Sequence, residues 1–171
     1  MRTDAASLPT TRAVRWWSAA VAGVVFLVFL GTLSNEFVWD DEQFIVKNWY
    51  LTSWRYLPQL FTQNIVAGTG LVSNLYRPLQ MVTHFVDVQL WDYQPWAHHL
   101  STVLIHVVAS VAVFRLLVSL CPPAPAALAA LLFAIHPIQS YAVAYTCGRG
   151  DGLAILFICL TLLIARRHPW W

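Results

Sequence analysis

The chain has 171 residues, of which 58% are hydrophobic and 11% charged, with a formal net charge of +2. Soluble domains average about 45–50% apolar and about 25% charged residues, so an ordinary soluble domain and a disordered tail are both excluded. So is a nucleic-acid binder, because the few Lys and Arg residues do not cluster.

The composition that remains is that of an all-α integral membrane protein whose first partners are membrane lipids. Its 9 Trp, 6 Tyr and 9 Phe suit the membrane–water boundary. Residues 1–15 carry Arg2, Arg12 and Arg15 ahead of the uncharged apolar run 16–33. No small-residue cleavage site follows, so the pair reads as an uncleaved signal anchor: a cytoplasmic N-terminus and a first span. Residues 34–97 are too polar to span, holding Glu36, Asp40, Asp41, Glu42, Asp87 and Asp92 beside Lys47, Arg55 and Arg77. They are also too aromatic to float free. Trp54, Leu57 and Phe61 recur at helical spacing, as do Leu79, Val82, Phe85, Val86 and Leu90. Each set predicts one apolar face on a helix lying in the interface.

A second span is expected over residues 98–120. Cys121-Pro122-Pro123 is a tight turn, so the third span, 124–146, runs back antiparallel. His136-Pro137 breaks it, because proline removes a backbone donor; such a break survives at membrane depth only beside a cavity or within protein. Gly148 to Gly152 form another turn, and residues 152–166 make a fourth, short span. Its apolar part covers only about 21 Å of a roughly 30 Å hydrocarbon core, so snorkelling of Arg166 or shielding by a partner is expected. Residues 167–171 return to the cytoplasm. Four spans place Arg2, Arg12, Arg15, Arg115, Arg166 and Arg167 inside and the 34–97 loop outside. The membrane is then a bacterial inner membrane or the endoplasmic reticulum. Cys121, Cys147 and Cys159 have neither metal-ligand spacing nor a disulfide framework.

Three acids, Asp40, Asp41 and Glu42, follow the first span directly. A carboxylate near lipid is poorly solvated and is pushed toward a useful general base. Equally, Asp40 is a possible N-cap, with Gln43 in the reciprocal capping-box position. Arg77 and Arg149 lie at the outer interface, where an Arg fork suits a lipid phosphate and a snorkelling anchor alike. His99 and His106 share a helical face, and His106 and His136 fall at similar depth on antiparallel neighbours. A pair of His facing across helices can hold haem or a metal, or simply join the helices by hydrogen bonds. Arg149-Gly150-Asp151 spells an adhesion tripeptide, and the glycines around it resemble part of a phosphate loop. No strand precedes them and no Lys-Ser/Thr follows, so a turn explains both.

Taken in order, these pieces resemble one known arrangement. It runs from Asn35-Glu36-Phe37-Val38-Trp39-Asp40-Asp41 through Ile45-Val46-Lys47-Asn48 and Leu60-Phe61-Thr62 to Tyr76-Arg77-Pro78-Leu79. It continues through His99-Leu100-Ser101-Thr102-Val103-Leu104-Ile105-His106 and His136-Pro137-Ile138-Gln139-Ser140-Tyr141-Ala142-Val143 to Gly148-Arg149-Gly150-Asp151. The arrangement resembles the N-terminal membrane region of GT-C-fold glycosyltransferases, in particular the TMTC-like protein O-mannosyltransferases and their prokaryotic relatives. The resemblance implies sugar transfer, with inversion, from a polyprenyl-phosphate carrier. It implies Asp40 or Asp41 as the base, and Arg77, Arg149 and His136 as lipid-phosphate contacts, with no metal implied. The family motif at the end of the third span is His-Pro-x-His-x-Glu-Ala-Val; here Gln139 and Tyr141 stand where it has the second His and the Glu. Complete GT-C modules also have more than four spans. The expectation is therefore a GT-C-like module without a complete active site, acting as an integral scaffold or accessory subunit of a larger membrane complex. The alternatives are a segment of an active glycosyltransferase and a small haem- or metal-binding membrane protein using His106 and His136.

Overall fold

A computed structural model describes residues 11–166. The expectations resting on Arg2 and residues 167–171 lie outside the described residues. Among those described, every regular element is helical. The α-helices are α1 (Thr11–Phe29), α2 (Pro78–Trp91), α3 (Pro95–Leu117), α4 (Pro123–Ala134), α5 (Gln139–Ala144) and α6 (Arg149–Ala165). Short 3-10 turns and one π-helical turn, Glu42–Val46, fill the stretch between α1 and α2.

Among the described residues, three stretches are long and apolar enough to cross a membrane: Thr11–Ser34, Pro95–Leu117 and Thr146–Ala165. Pro95 and Pro123 each open a helix at its first turn, where the missing N–H costs nothing. α4 has 12 residues, about 18 Å of helix, too short to cross alone. Between it and α5 lies His136-Pro137, where the backbone leaves the helix. The last span begins earlier than composition suggests, because the turn at Thr146–Gly148 runs directly into α6.

Two cores follow from this layout. In the bundle, Val21, Val25 and Phe29 of α1 pack with Val103 and Phe114 of α3 and with the small face of α4. That face is Ala126, Ala127, Ala130 and Ala134, all fully buried, and small side chains are what let helix backbones approach closely in a membrane. Replacing Ala130 by Leu is expected to cost about 1–3 kcal/mol through overpacking, read as a lower melting temperature in detergent. An unchanged melting temperature would mean that the helices are not in close contact there.

The second core lies in the loop region, with Phe44, Ile45, Leu51, Leu60, Ile65, Met81 and Phe85 at its centre. Here two expected faces are corrected. The 54–61 segment is a 3-10 helix containing Pro58, and proline cannot donate the bond an α-helix needs back to Trp54. Its period is therefore near three residues. Leu57 and Leu60 turn inward while Phe61 is exposed. α2 splits its expected face: Phe85 is buried and Val82 packs on the core, but Leu79, Val86 and Leu90 are exposed, whereas Gln80, His84 and Asp87 are buried. In a lipid environment apolar side chains need no protein cover, and polar ones do.

Candidate functional site

The stretch after α1 is built around two neighbouring acids with opposite settings. Asp41 is fully buried. Its Oδ2 accepts from the Val38 N–H at 3.2 Å and its Oδ1 from the Cys147 N–H at 2.9 Å. Asp40 is exposed. It is not a side-chain cap: the residue before the π-helical turn is Asp41, and neither acid forms the capping box. The Asp40 carbonyl instead accepts from the Gln43 and Phe44 N–H groups. Trp39, just before it, has φ +50°, a conformation that is an outlier for a bulky residue and costs about 1–3 kcal/mol. Its ring packs edge-on against Tyr145 at 5.7 Å. Burial first, then the Cys147 thiol and the Asp40 side chain, push the Tyr145 hydroxyl well above its ordinary range, so it stays protonated beside Asp40.

Cys147 continues the connection. Its carbonyl accepts from Gln80 Nε2 at 2.8 Å, and Gln80 Oε1 accepts from Arg77 at 3.4 Å. Arg77 is exposed. It lines a cavity of about 390 Å³ between the start of α2 and α6, with Leu79, Asp151, Leu153, Ala154 and Phe157. The cavity wall is largely apolar, with Arg77, Gln80 and Asp151 as its polar lining. The Arg77 end favours an anion, while the Asp151 carboxylate on the same wall favours hydroxyl donors. Gly150 packs closely here: a Cβ on it would sit 2.4 Å from Gln80 Oε1, so the Gln80 side chain would have to shift.

Arg149 is placed otherwise than expected. It is fully buried and turned away from the cavity, whose lining includes neither it nor His136. One NH1 donates to Asp87 Oδ2 at 2.6 Å and to Thr83 Oγ1 at 3.3 Å. Nε donates to Thr102 Oγ1 at 3.1 Å and NH2 to the His98 carbonyl at 2.7 Å. A guanidinium so committed holds elements together and has no face toward a phosphate in solvent. His136 is exposed, and its Nδ1 accepts from the Ile138 N–H at 3.2 Å. His106 is buried, with Nε2 on the Ala134 carbonyl at 2.9 Å and its ring edge-on to Phe29. The two His considered for haem therefore sit in unlike settings, one inside the bundle and one at its surface. Asn48 is structural: its amide bonds the Ile65 carbonyl and the Tyr50 N–H.

The residues sequence reasoning passed over are Gln80, Thr83, His84 and Asp87. Their spacing on α2 (three, four and seven residues from Gln80) is a polar stripe on one helical face, and that was the available signal. Burial first, then the charge of Arg149 and the neighbouring His98, hold the His84 imidazole well below its usual range, so it stays neutral.

Among known proteins, the chain is similar to protein O-mannosyl-transferases. Tmtc1 of Drosophila melanogaster is 34% identical over 155 residues, covering 88% of this chain and 18% of that protein. TMTC4 of Homo sapiens is 33% identical over 177 residues, covering 91% of this chain and 24% of the relative. TMTC3 of Homo sapiens is 31% identical over 147 residues, with 84% and 16% covered. The chain thus spans less than a quarter of the length of these relatives. No family model and no solved structure matches it.

Proposed function

We propose, from a chain that is a TMTC-like membrane segment of the GT-C type, that it carries the base and one wall of the carrier-lipid site of a polyprenyl-phosphate-dependent protein mannosyltransferase. In this reading the 34–97 loop faces the lumen or outer side, and both ends of the chain face the cytoplasm. Asp40, exposed beside the protonated Tyr145, takes the proton from the acceptor hydroxyl as its oxygen bonds to the anomeric carbon, while the bond from that carbon to the phosphate oxygen breaks and polyprenyl phosphate leaves as the anion. Asp41 is a positioning residue, since both its oxygens are spent on backbone N–H groups. Arg77 holds the carrier phosphate, and Leu79, Leu153, Ala154 and Phe157 take the start of the prenyl chain. Asp151, at the same cavity, accepts from sugar hydroxyls. The observation that carries the reading is the continuous connection from Asp41 through Cys147 and Gln80 to Arg77. It fixes the acid-bearing loop and the phosphate end of the cavity to one frame.

The test is retention of carrier lipid. The full chain in nanodiscs doped with polyprenyl phosphate is examined by native mass spectrometry. Polyprenyl phosphate is expected to be retained in preference to polyprenol, and Arg77→Ala is expected to weaken retention about tenfold, the worth of one charge-assisted bond. Equal retention of phosphate and alcohol would sink the reading.

A second reading is favoured by Gln139 and Tyr141. Gln139 is buried and Tyr141 is packed on Tyr145 at 5.3 Å, where the resembled motif has His and Glu. In that reading the module is a scaffold or accessory subunit of a larger membrane complex. It would show no preference for the phosphate.

A further inference from the structure

The polar stripe of α2 ends in a cluster that the proposed sugar chemistry does not use. His84 and Asp87 of α2 and His98 of α3 are all buried, and one ligand atom from each lies within 4.8 Å of the others. His84 is fully buried, and neither of its ring nitrogens has a hydrogen-bond partner. His98 bonds the Asp92 carbonyl through Nε2 at 3.0 Å. A carbonyl only accepts, so Nε2 carries the proton and Nδ1 is left with its lone pair. That Nδ1 has no hydrogen-bond partner and faces Asp87 Oδ2 at 3.7 Å. A lone pair thus points at a carboxylate, with a second unpartnered imidazole alongside at 6.2 Å between ring centres. Buried polar groups are rarely left so. A single cation between them would satisfy the two imidazoles and take a further lone pair of Asp87, whose oxygens already accept from Ser101 and Arg149.

We propose that His84, Asp87 and His98 form a site for a divalent transition-metal ion of the zinc type, with one coordination position open. Two imidazole nitrogens and one carboxylate oxygen select zinc, cobalt or a neighbour over calcium or magnesium. The outer hydrogen bonds such a site needs are already made. The Asp92 carbonyl orients His98, while Ser101 at 2.6 Å and Arg149 at 2.6 Å donate to the two Asp87 oxygens. The ion joins α2 to α3 across the turn between them and is independent of the carrier-lipid reading.

The test titrates the full chain, purified in detergent and stripped with chelator, with Co2+ and then Zn2+. One Co2+ per chain is expected, with visible ligand-field bands that Zn2+ abolishes, and Zn2+ is expected to raise the melting temperature. His84→Leu is expected to bind Co2+ at least about tenfold more weakly and to lose the thermal response. His136→Ala, at an exposed position, should change neither. The proposal is overturned if Co2+ gives no such bands, or if His84→Leu binds as the parent does. It is also overturned if Zn2+ leaves melting unchanged while His84→Leu melts at or above the parent, which is the behaviour of an unsatisfied imidazole with no ion. Should His84→Leu fail to fold, the Co2+ spectrum and the Zn2+ dependence of the unaltered chain decide alone.

Discussion

Arg149→Met is expected to lower the stability of the chain by about 3–5 kcal/mol, read as a large fall in melting temperature in detergent. The cause lies in what remains. Asp87 is 4% exposed and would keep its carboxylate without the guanidinium that pairs with it. Thr83, Thr102 and the His98 carbonyl would lose their partner as well. Arg149→Lys should recover little, because an ammonium is a point charge and cannot span acceptors on α2 and α3 in one plane. Pairing Arg149→Met with Asp87→Asn should be milder than Arg149→Met alone, since the neutral pair leaves no buried charge. A single Arg149→Met variant that melts like the parent would show that the guanidinium is not buried between α2 and α3.

The two adjacent acids should separate by readout. Asp40→Asn is expected to reduce sugar transfer in cells by about 10²–10⁴-fold, the usual worth of a positioned base, with little change in melting temperature. Its carboxylate is exposed and holds no backbone group. Asp41→Asn should do the reverse in order of cause. An amide cannot accept at both ends, so the N–H of Val38 or of Cys147 is left without its acceptor. About 1–3 kcal/mol of stability goes with it, and transfer falls because Asp40 is no longer held. Asp40→Asn that leaves transfer intact would end the assignment of the base.

The apolar runs and the proline and glycine punctuation made the helical architecture legible from sequence, because membrane spans impose length and hydropathy directly. The acids at Asp40 and Asp41 stood out for the same reason: charge beside a span is costly. Which of the two faces outward was not legible, since it depends on Cys147, a partner 106 residues away. Arg149 was misplaced for a related reason. An interfacial position in the chain reads as solvent-facing, yet the polar face of α2 is turned inward to meet it. In α2 the inward place of Phe85 was legible from its apolar spacing, but the burial of Gln80, His84 and Asp87 was not, because lipid and a protein core both accept apolar side chains.

The loop's buried acids find their partners late in the chain. Arg149 comes 62 residues after Asp87, and Cys147 comes 106 after Asp41. At about 5–20 residues per second, a ribosome needs several seconds to complete either pair. Throughout that interval the loop holds two carboxylates that still lack these late partners, and other groups or water must solvate them. Assembly of this side of the molecule therefore waits on insertion of α6. A mutation that delays α6 would be felt first as proteolysis in the 34–97 segment, far from the change itself.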